Sequence, residues 1–155
     1  MLMKAIARFA FPALLFVCVL ALVCGNAEAQ GKHPAYLHAL TDLRHARAHL
    51  QRPDGGALRE EEKEAIHQID EAINEIKRAS IDDGKDLDDH PPVDAGMDRT
   101  GRLHRAKELL EKARQDISHE EDNGFAQGLQ QRAFGHIDRA IHEVNEAIRI
   151  VASRD

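Results

Sequence analysis

The sequence predicts an all-α fold: an antiparallel four-helix bundle made of two duplicated helical hairpins. Three observations predict it. AIHQIDEAINEIKRA (65–79) returns 68 residues later as AFGHIDRAIHEVNEA (133–147), with seven of fifteen positions identical. Four stretches carry apolar residues at 3-4 spacing, the signature of one buried helix face. The breaks between them hold Pro, Gly, Asn and Asp, which end helices and make turns. A lone hairpin has nowhere to bury its two apolar stripes, whereas two hairpins can close on each other. Two copies at so long a period argue against a solenoid.

Residues 1–29 read as a cleaved secretory signal peptide. Lys4 and Arg8 make a positive start, an apolar run follows from Phe9 to Val23, and Ala27-Glu28-Ala29 is an A-x-A cleavage signal. The run is shorter than the roughly 20 residues that span a bilayer. A lipoprotein signal at Cys24 is disfavoured, because Val23 stands where a small residue usually precedes the lipidated cysteine. The expected compartment is therefore periplasmic or extracellular. Cleavage removes Lys4, Arg8, Glu28 and both cysteines, leaving 126 residues (30–155) with a net charge of −7. That is one domain, held by its core without disulfides.

The first helix is expected from about Pro34 to Leu50, with Tyr36, Ala39, Leu40, Leu43, Ala46 and Leu50 on one face. RPDGG (52–56) breaks it. The second runs from about Ala57 to Ile81 through Ala65, Ile66, Ile69, Ala72, Ile73, Ile76 and Ala79. A linker over 82–101 holds Pro91-Pro92, through which no helix continues. The third helix runs from about Arg102 to Ser118 through Leu103, Ala106, Leu110, Ala113 and Ile117. EDNG (121–124) then precedes the fourth, from about Phe125 to Val151, through Leu129, Ala133, Ile137, Ala140, Ile141, Val144, Ile148 and Val151. The hairpins thus cover about 34–81 and 102–151. Arg47 and Arg114 recur in the two halves, as do Glu75 and Glu143, which suggests packing or pairing across helices.

HPAYLHALTDLR, AINEIKRASIDDGKDLDDHPPVDA and EEDNGFAQGLQQRA together resemble a group of small secreted bacterial helical proteins of uncharacterised function. The resemblance covers nearly all of the chain after the signal. It implies no activity, ligand or site residue.

Composition narrows the function classes. An acidic chain without a basic block is a poor nucleic-acid binder, and Tyr36, Phe125 and Phe134 are the only aromatic residues after the signal. The polar faces are mixed or acidic, which argues against membrane-surface binding. No stable membrane span is expected after cleavage. Ser118-His119 point about 100° apart on a helix, the wrong arrangement for a nucleophile and its base. Glu64 and His67 have the letters of a di-iron motif but lie off the apolar face and have no second copy. DDGKDLDDH lacks the spacing of a calcium loop.

The ten histidines are the unusual feature. His38, Asp42, His45 and His49 fall within about 60° of each other on the first helix, well away from its apolar stripe. His45 and His49, at i and i+4, can chelate a transition metal, since imidazole suits Zn, Cu or Ni. Asp138 and His142 on the fourth helix, with His104 opposite on the third, form a second candidate. Read as surface groups, the histidines would titrate near 6.5 and carry the net charge to about +3 by pH 5, with little change in stability. The expected function is a non-enzymatic interaction or envelope accessory role with an unidentified protein partner and no cofactor. The alternative is a periplasmic transition-metal-binding or buffering protein that uses Zn, Cu or Ni.

Overall fold

A computed structural model describes residues 34–51, 58–78, 83–119 and 124–154. The expected signal peptide and the RPDGG turn lie outside these residues. Four helices follow one another: α1 (Pro34–Gln51), α2 (Glu60–Arg78), α3 (Arg99–Ile117) and α4 (Gly124–Ala152). No helix among the described residues is long and apolar enough to cross a membrane.

Local chemistry fixes the ends. Pro34 opens α1, where its missing N–H costs nothing. Glu60, Glu61 and Glu62 fill the first turn of α2, where negative charge suits the helix dipole, and Lys77 and Arg78 fill the last. The Arg59 N–H donates to Glu62 Oε2 at 2.9 Å, half of a capping box. Helix α3 begins three residues earlier than the apolar pattern suggests. Asp98 caps it by accepting from the Gly101 N–H at 2.7 Å.

The side-chain register gives the topology. Arg102, early in α3, donates to the carbonyl of His49, late in α1, while Lys112 farther along α3 reaches back to Asp42. Hence α3 runs antiparallel to α1. Arg132, early in α4, meets Glu75, late in α2, and Arg139 meets Gln68, so α4 runs antiparallel to α2. The start of α3 also touches the start of α2, through Arg99 and Glu62. The helices therefore run up-down-down-up. Each is antiparallel to its neighbours, and α1/α4 and α2/α3 form the diagonals. The most extensive packing is α1 on α3 and α2 on α4. Because α2 ends at the opposite end of the bundle from the start of α3, the described residues 83–98 run back along the bundle.

The core is a single cluster that includes Tyr36, Leu40 and Leu43 of α1, Ile69 and Ile73 of α2, Leu103 and Leu110 of α3, and Ile137 and Val144 of α4. Ile69 and Ile137, equivalent in the repeat, are both fully buried. The repeat also recurs in the pairing. Arg47 Nε holds Asp70 at 2.8 Å within the first hairpin, and Arg114 Nε holds Asp138 at 2.6 Å within the second. Gln68 and its repeat equivalent His136 bond each other at 2.7 Å. Equivalent residues meet in this way where an approximate two-fold axis relates the hairpins.

Candidate functional site on the first helix and the crossover

Several charged and imidazole side chains gather where the crossover lies on α1. Arg44 is the anchor. It is 0 % exposed, and its guanidinium grips Asp83 with two bonds, Nη1–Oδ2 at 2.7 Å and Nη2–Oδ1 at 2.6 Å. Burial alone would raise the Asp83 carboxyl. The Arg44 fork and the Lys85 N–H outweigh burial and hold it below its ordinary value. Gly84 follows at φ +68°, a left-handed conformation that glycine adopts without strain. This turn aims the Lys85 carbonyl at Lys77 Nζ, 3.0 Å away. Farther on, Arg47 Nη1 reaches Asp88 at 3.1 Å, and Leu87 packs against the core. Arg44 Nε is buried without a hydrogen-bond partner.

Beside this anchor lie His45, His49 and His90. The Nε2 atoms of His45 and His49 face each other at 3.2 Å, with ring centres 4.7 Å apart. His90 of the crossover lies parallel to His45, with ring centres 6.5 Å apart. His90 Nδ1 is 2.8 Å from the Pro91 carbonyl, and the neighbouring Pro92 backbone favours the charged form of His45. His49 is 3 % exposed, and its Nδ1 has no partner.

The expected surface stripe is therefore corrected. His38 is exposed, but Asp42 is buried against Lys112 at 2.7 Å, His45 is half-buried and His49 is in the interior. The reason is that α1 is covered on two sides. Its apolar stripe meets the core, while α3 and the crossover cover the neighbouring face. In the second candidate group, His104, Asp138 and His142 are all exposed, and Asp138 is held by Arg114. Among the described residues, no group of three or more His, Cys, Asp or Glu is placed to hold a metal ion. Sequence reasoning missed Arg44 and His90. The available signal was the linker, which is longer than a connection needs.

The titration expectation changes with the burial. His49 is pushed down to about 4, first by burial and then by the fields of His45, Arg105, Arg102 and His90. His45 is lowered by burial, then by Arg105 and His90, against the pull of Asp42 and the Pro92 backbone. His136 is lowered by burial, then by Arg139. Three of the ten histidines thus resist protonation, and the reversal to +3 by pH 5 is blunted.

Stability must follow as well. The unfolded chain takes up the His49 proton near 6.5 and the folded chain only near 4. Below 6.5 the unfolded state therefore binds more protons, so stability is complete above that pH and falls as pH drops toward 4. At 1.36 kcal/mol per pKa unit, His49 accounts for a loss of about 2 kcal/mol between pH 7 and 5. Urea unfolding at those two pH values checks this. The loss should shrink in His49→Gln, and equal stability at both pH values in the wild type would contradict the burial.

No protein-family model matches the chain, and neither a curated protein nor a solved structure does.

Proposed function

We propose that this chain is a non-enzymatic helical-bundle protein of the periplasm or extracellular space. Its role is that of an interaction or envelope accessory protein, and it presents the crossover as its recognition surface. The observation that carries this reading is the length and fixation of that segment. A 19-residue helix is about 28 Å long, and roughly nine extended residues span that distance. The connection has 20. Structureless connections of that length are uncommon in compact domains and usually functional. This one is held on α1 by a fully buried arginine instead of trailing in solvent.

The exposed chemistry of the segment indicates the partner. Asp86, Asp88, Asp89 and Asp94 face solvent, as do Pro91 and Pro92. A pinned, acidic, proline-stiffened segment suits a cationic protein surface and loses little entropy on binding. Among the described residues, the buried acidic residues Glu62, Glu75 and Asp42 are each tied to a cation, which supports a non-enzymatic reading. Glu62 pairs with Arg99, Glu75 with Arg78 and Arg132, and Asp42 with Lys112.

The test is site-specific photo-cross-linking in the native envelope. A cross-linker at Asp89 should give one discrete adduct, and one at exposed Glu108 of α3 should not. Asp86→Lys with Asp94→Lys should abolish the adduct. Equal labelling from both positions, or none from Asp89, overturns the reading.

A further inference from the structure

We propose that His45 and His49 form an open two-nitrogen chelate for a borderline divalent transition metal, with copper, zinc and nickel as the fitting ions. The inference is independent of the crossover's role in recognition. Its basis is the geometry of the two rings. With metal–nitrogen bonds of about 2.0–2.1 Å, an Nε2–Nε2 separation of 3.2 Å corresponds to an angle at the metal of about 100–106°. That lies between the about 90° of a square site and the about 109° of a tetrahedral one.

Ring orientation separates a chelate from a simple hydrogen bond. A head-on N–H···N bond would put the ring centres about 5.5 Å apart. Two rings converging on one metal would put them about 5.0 Å apart. The observed 4.7 Å is nearer the second value, and the planes are inclined by 37°. The rings are thus tipped off the line joining the two Nε2 atoms.

Nε2 of His45 faces Nε2 of His49. His45 is only half-buried, so water or an external ligand can complete the coordination from the solvent side. His49 Nδ1 is buried without a hydrogen-bond partner. Asp42, one turn away and paired with Lys112, favours a dication, while Arg105 and Arg102 of α3 oppose it. The other candidate residues lack comparable geometry: His104 and His142 are exposed side chains, and Asp138 is engaged by Arg114.

Copper(II) titration of the untagged protein tests the proposal. Cys18→Ser, Cys24→Ser and His33→Ala in the background remove competing ligands near the N-terminus. One equivalent should bind, and its electron paramagnetic resonance spectrum should show coupling to two imidazole nitrogens. Zinc(II) should displace it. His45→Ala, at a half-buried position, should fold, weaken copper binding at least tenfold and leave at most one imidazole coupling. His38→Ala, His104→Ala and His142→Ala should change nothing. The proposal is overturned by an absence of stoichiometric binding, by unchanged binding in His45→Ala, or by loss of binding in the His104 or His142 variants.

Discussion

Ile69→Asp and Ile137→Asp will each lower the unfolding free energy by about 4 kcal/mol or more, enough to leave much of a domain of ordinary stability unfolded. Both side chains are 0 % exposed in the central cluster. Each substitution removes a packed isoleucine and puts a carboxyl into a cluster of apolar side chains. The new group must stay protonated or open the core to water. The two sites are repeat equivalents, so the effects should be similar in size. Ile66→Asp provides the comparison, because Ile66 is only half-buried at the edge of the same cluster and should lose clearly less. Urea midpoints for both core variants equal to wild type would show that the assigned core face is wrong.

Asp83→Ala will cost about 3–5 kcal/mol, the range for a buried ion stripped of its partner. Arg44 cannot escape by losing its proton, and at 0 % exposure it is out of contact with bulk solvent. What remains is a 3.5 Å contact with the Lys85 carbonyl and a buried Nε that already lacks a partner. The double variant Arg44→Met/Asp83→Leu should recover most of the loss, since a packed apolar pair can replace a buried ion pair at little cost. An Asp83→Ala loss below about 0.5 kcal/mol, as at an ordinary surface site, would contradict the anchor. The ion pair also has its own pH signature. The folded carboxyl lies below 3.8, so its contribution is complete above that pH and fades as pH falls further. The His49 loss occurs earlier, between 6.5 and about 4. An acid titration should therefore show two separable declines.

The fold was legible because each helix writes its own buried stripe. Ile69, Ile73, Ile137 and Val144 follow the 3-4 spacing and lie in the core. The paired arginines were legible as a recurrence, and Arg47–Asp70 and Arg114–Asp138 are the contacts behind it. The site was legible only in part. His45 and His49 were chosen by spacing and do come together, yet their burial was misread. Periodicity reports one stripe per helix, and α1 is covered twice, by the core and by α3 with the crossover. Ala48, off the main stripe and buried, was a sign of that second contact. Arg44 was invisible for a related reason. Its partner lies 39 residues away, and no local pattern encodes a pairing made by an irregular segment. His90 joins His45 through the same long-range placement.

The central claim is that residues 83–97 are an ordered part of the bundle, fastened to α1 through Arg44, and not a slack linker. Backbone ¹⁵N relaxation tests it most directly. The account predicts order parameters near the ~0.85 of rigid backbone across this segment, level with the helices, and a fall confined to it in Asp83→Asn. Wild-type values below about 0.6 from Asp83 to Met97, with rigid helices on either side, would contradict it.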